Sequence, residues 1–197
     1  MEHSVNGGFV LKKYEEVSSY NSIPSPVQIE TTGNIEHEVE GHKFNVQLLY
    51  EYTVYGKVVG THSYLATTTH NKVVPKDVGL VWGPMAQEKF NKRLRFVSTG
   101  QRYLMTIFKT DDTSWYYNMY APAYISNNHL VPSSKEIRKL MNKIKKDDYV
   151  KIQGYLCNIR GPEINGTGYY HTESSTVRGD YNCETIYVTD IKWLKEK

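Results

Sequence analysis

Two short polar stretches of this 197-residue chain hold the side chains best suited to chemistry: Ile125-Ser126-Asn127-Asn128-His129, and Ser174-Ser175-Thr176-Val177-Arg178-Gly179-Asp180 followed by Cys183-Glu184. A thiol becomes a nucleophile when a base within hydrogen-bond reach takes its proton, so Cys183 with His129 would make a thiol-dependent hydrolase. Neither residue sits in a protease-like local signature. The plainer reading makes Cys183 a small buried hydrophobe opening a strand and His129 a packing or capping residue beside a helix. A guanidinium fork matches carboxylate and phosphate geometry, so Arg178 with Asn128, Ser174 and Ser175 suits an anionic or polar ligand. Its simpler role is an ion pair with Asp180 that pins a glycine-containing loop. Polar loops over a rigid scaffold are where binding sites gather. The chain is therefore expected to be a non-enzymatic binding module with Asn128, His129, Ser174, Ser175, Arg178, Asp180 and Glu184 at its ligand site, and hydrolysis by Cys183 and His129 is the alternative.

Zinc would suit His129, His171, Asp180, Cys183 and Glu184 by residue type, yet their spacings match no zinc module, and neither a metal nor a cofactor is expected. Trp115-Tyr116-Tyr117-Asn118-Met119-Tyr120, with Arg102 and Tyr103 nearby, would stack bases if the rings faced outward. Lys139, Lys143, Lys145 and Lys146 would then extend a phosphate-contacting face. An aromatic stripe more often sends half its rings into the core, and a lysine-rich helix face is usually only solvated. The net charge of +3, from 24 basic and 21 acidic residues, supplies no global field for phosphate binding. Single-stranded nucleic-acid binding is thus a second alternative.

Hydrophobic residues at 39% and charged residues at 23% predict a folded core, and 17 tyrosines favour half-buried strands. Residues 1–42 read as an appendage or linker, with a short helix over Phe9–Tyr20, a break at Pro24-Ser25-Pro26 and a first strand around Val27–Thr31. A β-rich domain is expected over 43–197. Within it, Phe44–Tyr64 reads as a hairpin turning at Tyr55-Gly56-Lys57, Val78–Trp82 as a strand and Met85–Leu94 as a short helix. Phe96-Val97 and Tyr103–Phe108 form a second hairpin, and Trp115–Tyr120 an aromatic strand. Ile137, Leu140, Met141 and Ile144 fall at i, i+3, i+4 and i+7, which predicts an amphipathic helix over Ser133–Lys146 with Ser133 and Glu136 as a capping box. Tyr149–Ile159, bent at Gly154, and Cys183–Leu194 complete the strands. Cys157 and Cys183 form no disulfide framework, and pair only if their strands are neighbours. Without an apolar run long enough to span a bilayer or serve as a signal peptide, a soluble, cytoplasmic protein is expected.

The capped helix Ser133–Lys146, the following Lys146-Asp147-Asp148-Tyr149-Val150-Lys151-Ile152-Gln153-Gly154-Tyr155-Leu156 and the closing strand Thr185–Leu194 resemble the OB-fold, a small Greek-key barrel with a helix between its third and fourth strands. The resemblance implies a mainly β chain, an elaborated OB-like Greek-key β-barrel with one amphipathic helix (133–146) between strands, and extra elements between Val78 and Tyr124. In that topology the two polar stretches approach, bringing His129, Arg178, Asp180, Cys183 and Glu184 near one site. The same segment is similar to a group of bacterial proteins, frequently membrane-anchored, that share an Asn-His segment before the helix and a Ser-Ser…Arg…Asp…Cys-Glu stretch before the last strand. That group has no established activity, so the similarity transfers none. Abundant Lys, Asn, Ile and Tyr resembles the coding of AT-rich bacteria and their phages, a setting in which a sequestering or inhibitor protein would fit. The expected ligand is small and polar or nucleotide-like, or a protein partner.

Overall fold

A computed structural model of the chain describes residues 10–177, 179 and 182–197. Its strands are β1 (Tyr14–Val17), β2 (Val27–Val39), β3 (His42–Ser63), β4 (Lys76–Val81), β5 (Leu94–Ser98), β6 (Leu104–Phe108), β7 (Ile125–Pro132), β8 (Tyr149–Pro162), β9 (Tyr169–Thr172) and β10 (Glu184–Glu196). The helices are α1 (Thr69–Val73), α2 (Glu88–Asn91), α3 (Ser114–Asn118) and α4 (Lys135–Lys143). β3 pairs antiparallel with β4, β4 with β7, and β7 runs parallel to β10. β10 then pairs antiparallel with β8, and β8 with β3, which closes the circuit. With α4 between β7 and β8, this is a mainly β, barrel-like fold with a helix between strands, as expected. Two further strands of the sheet, β1 against β10 and β2 against β3, come from the first 42 residues.

Alternation along the strands fills the barrel with β-branched and leucyl side chains, among them Val54, Val78, Leu80, Leu130, Ile152 and Ile186, all fully buried. Burying each stabilises the fold by about 1.5–3 kcal/mol relative to exposure. Helix α4 adds Ile137, Leu140 and Met141 to the same cluster. Its cap is Ser134, whose Oγ accepts from Ile137 N at 3.2 Å. The expected cap, Ser133, donates its N–H to Val188 O at 3.1 Å instead, so the helix starts later than its sequence signature predicts.

Three expected elements take other forms. Phe44–Tyr64 is one continuous strand through Gly56, because that glycine marks a close approach and not a turn. A Cβ at Gly56 would lie 3.1 Å from Val81 O. The actual hairpin joins β2 to β3 through Glu40-Gly41, both with positive φ (50° and 77°), as a two-residue type I′ turn requires. The expected strand at Trp115–Tyr120 is instead helical over Trp115–Asn118, where Asp112 Oδ1 accepts from both the N–H (3.0 Å) and the hydroxyl (2.6 Å) of Ser114 at the start of α3. The Trp115 ring stacks on Phe90, with centroids 5.5 Å apart. Finally, the expected helix over Phe9–Tyr20 yields β1, which finds backbone partners in β10 (Tyr14 beside Trp193), and a 3-10 turn capped by Ser19.

Gly154 sits where β8 crosses the irregularity between Val188 and Asp190 of β10. A Cβ there would stand 2.0 Å from Tyr187 O and 2.9 Å from its carbonyl carbon. Backbone cannot rotate aside as a side chain can, so Gly154→Ala is expected to cost about 1–3 kcal/mol in urea unfolding. The matched change Gly166→Ala, with nothing within 4 Å, is the comparison that should stay near wild type. Both cysteines are free: the buried Cys157 thiol faces Thr185 O at 3.7 Å, and burial pushes its pKa up to about 12. Among the described residues, no helix is long and apolar enough to cross a membrane.

Candidate active site

Strand register brings the chemistry together. In the antiparallel β4–β7 ladder Asp77 lies opposite His129, and in the parallel β7–β10 ladder His129 lies beside Thr185. His129 Nδ1 donates to Asp77 Oδ1 at 2.9 Å, since a carboxylate can only accept. Cys183, just before β10, falls alongside Asn127, and its Sγ lies 3.6 Å from Asn127 Nδ2 and 3.7 Å from Arg102 O. With Nδ1 committed to Asp77, Nε2 is the nitrogen left for a further partner. Asn127 and His129, two apart on β7, share a face.

Asp77, its side chain 1% exposed, is the centre of a buried polar network. Its Oδ2 accepts from the Tyr64 hydroxyl at 2.8 Å, and Arg102 Nη1 reaches Oδ1 at 3.2 Å. Arg102 Nη2 continues to Asn71 Oδ1 (2.6 Å) and Val74 O (2.9 Å), while the guanidinium lies 3.7 Å over the Tyr64 ring. These bonds hold Arg102 at φ 64°, a left-handed conformation that a side-chain-bearing residue adopts at a cost of about 1–2 kcal/mol. The turn between β5 and β6 is thereby tied to the base of the site.

Electrostatics separate two neighbouring imidazoles. Burial, the largest influence on His129, disfavours its charged form, but the hydrogen bond and charge of Asp77, with a further contribution from Cys183, outweigh it and raise its pKa to about 9. His70, with its ring centroid 6.5 Å away, is lowered to about 4 by burial and then by the positive charges of Arg102 and His129. One ring is held protonated at neutral pH and the other neutral.

Cys183 is half-buried and opens onto a cavity of about 330 Å³. The barrel side of this cavity is Ile125, Ser126 and Asn127 of β7 with Cys183 and Glu184. The opposite wall comes from β6 and α3, so the elements inserted between β4 and β7 build half of the site.

The expected ligand residues are distributed differently. Asn128, fully buried on the other face of β7, spends its amide on Val78 O (3.0 Å) and Ser126 Oγ (2.8 Å) and does not line the cavity. Ser174 Oγ accepts from Thr185 N at 3.0 Å and Ser175 N donates to Cys183 O at 3.0 Å, so both brace the start of β10 and lie off the cavity wall. Glu184, 6% exposed, does line it. Arg178 and Asp180 lie outside the described residues. His171 belongs to β9, opposite Arg160, away from His129. Among the described residues, no three His, Cys, Asp or Glu side chains gather as a metal would need.

Asp77 and Tyr64 escaped the sequence reading, and Arg102 entered it only beside the aromatic stretch at Trp115. A signal for Asp77 exists: it is a charged residue within Lys76-Asp77-Val78-Gly79-Leu80-Val81, every one of which is buried, and buried carboxylates need partners. The chain matches no family model, and neither curated proteins nor solved structures yield a significant match.

Proposed function

We propose that the protein is a thiol-dependent hydrolase with Cys183 as nucleophile, His129 as proton carrier and Asp77 as the group that orients the imidazole. The observation that carries this reading is the Asp77–His129 hydrogen bond at 2.9 Å on the strand whose Asn127 Nδ2 lies 3.6 Å from Cys183 Sγ, with Cys183 opening onto a cavity. Nucleophile, base and orienting carboxylate in sequence is the arrangement that nucleophilic acyl transfer requires on any fold. The binding residues expected from sequence give it less support, since Asn128, Ser174 and Ser175 are engaged in bracing strands.

The reaction balances without a further cofactor. The Cys183 thiolate attacks an ester or amide carbonyl, forming a C–S bond. The leaving group departs with the proton held on His129 Nε2. Water then attacks the acyl thioester, His129 takes its proton, the carboxylic acid leaves and the thiolate is regenerated. Asn127 Nδ2, 3.6 Å from Sγ, is placed to donate to the oxygen on which charge develops as the C–S bond forms.

The test is acylation by p-nitrophenyl acetate followed by peptide mass mapping. One acetyl group on Cys183, with release of p-nitrophenolate, is expected in the wild type and in neither respect for Cys183→Ser. Equal p-nitrophenolate release by Cys183→Ser overturns the proposal.

A further inference from the structure

Resting on the hydrolase reading, we infer that the cavity beside Cys183 receives the acyl half of the substrate and selects an uncharged apolar group of about phenyl size. Strand β6 carries the argument. Its alternation turns Leu104, Thr106 and Phe108 to the cavity, while Met105 and Ile107, 39% and 37% exposed, face outward. The ring of Tyr116 meets Phe108 edge-on, with centroids 5.0 Å apart, and Tyr117 lies beside them on α3. Pro122 and Ile125 continue this apolar lining toward the barrel.

The wall is set close to the barrel by two glycines. Leu104 packs onto Gly60 and Gly79 so closely that a Cβ on Gly79 would lie 2.8 Å from its methyls. Together with the Arg102 ties, this fixes the width of the slot between β6 and Cys183. A volume of about 330 Å³ is at the small end of ligand sites, room for one ring or a short branched chain. Charge points the same way. The β6 and α3 wall offers Leu104, Phe108 and Tyr116 to the acyl tail, so a carboxylate there would give up its hydration without recompense from that wall. An acetyl group would leave the aromatic wall without contacts, and each buried methylene is worth about fourfold in binding. Thr106 is the small residue at the middle of the wall, between Leu104 and Phe108, where added bulk removes the space.

The experiment compares kcat/KM for p-nitrophenyl acetate, 3-phenylpropanoate and the monosuccinate in the wild type, Thr106→Phe and Tyr117→Ala. In the wild type the phenylpropanoate should exceed acetate by about tenfold or more, and the succinate should be the poorest. Thr106→Phe should reverse the order of the first two. Tyr117, 61% exposed, can be truncated without disturbing the core, so Tyr117→Ala should lower the phenylpropanoate severalfold and leave acetate little changed even if Thr106→Phe fails to fold. A flat acyl-size profile, or one that neither variant alters, while Cys183 still becomes acylated, overturns this inference and leaves the hydrolase reading standing. Absence of Cys183 acylation by every ester overturns both.

Discussion

Replacing His129 with alanine is expected to slow alkylation of Cys183 by iodoacetamide at pH 6.5 by about tenfold or more. The reagent reacts with thiolate. In the proposed mechanism the His129 imidazolium stabilises the attacking sulfur anion, and His129→Ala removes that charge. A charge-assisted contact to the reacting anion is worth about 1.5–3 kcal/mol, on the order of tenfold or more in rate. Cys157 is the internal control: buried, with its pKa pushed up to about 12, it should label only when the fold opens. A variant that is merely unfolded would therefore label at both cysteines, and the two causes separate in one peptide map. Unchanged labelling of Cys183 in a folded His129→Ala protein would mean that no proton is shared between the two residues, and the proposed chemistry would fall with it.

The charge inventory explains why a thiolate fits this position. Arg102 and His129 both lean on Oδ1 of a single carboxylate, and Tyr64 takes its other oxygen. One Asp77 charge can balance one of the two cations. A second anion would balance the other, and in the proposed mechanism the attacking Cys183 sulfur is that anion. His70 avoids adding a third positive charge by staying neutral, with Nδ1 against the Tyr170 hydroxyl at 3.1 Å. The site thus concentrates positive charge in a low-polarity surround, where screening by solvent is weak.

The parts of this architecture legible in the sequence are those with local causes. The α4 periodicity, the bulge glycine at Gly154 and the closing strand each announce themselves within a dozen residues, and they suffice to suggest a barrel with a helix between strands. What was illegible depends on long-range register. Gly56 looks like a turn residue until β4 is seen to press against it, and the aromatic run at Trp115 looks like a strand until Asp112 is seen to start a helix. The approach of the two polar stretches was readable because β7 and β10 run side by side and parallel. Asp77 was not readable, since its role comes from standing opposite His129 across a ladder that joins residues 52 positions apart.

Removing the Asp77 carboxylate should be the most damaging single change to stability, with Asp77→Ala lowering the unfolding free energy by about 3–5 kcal/mol. The loss exceeds that of a surface pair because Arg102 and His129 would keep buried positive charge with no counter-charge between them, and the Tyr64 hydroxyl would lose its acceptor. Asp190→Ala provides the scale: its bond to Lys13 Nζ at 2.7 Å is solvent-facing, and such pairs contribute roughly 0–1 kcal/mol. The same variant carries a pH signature. In the wild type the pKa of His129 is raised from 6.5 to about 9, so its contribution is fully present below pH 6.5 and is lost as pH rises through about 9. Urea midpoints should accordingly fall between those limits in the wild type, and Asp77→Ala, having lost the strongest force raising that pKa, should flatten the decline. If Asp77→Ala instead unfolds at the same urea concentration as Asp190→Ala and keeps the wild-type pH curve, the aspartate does not hold the imidazolium. A hydrolase that needs an oriented, protonated His129 would then lack its supporting group.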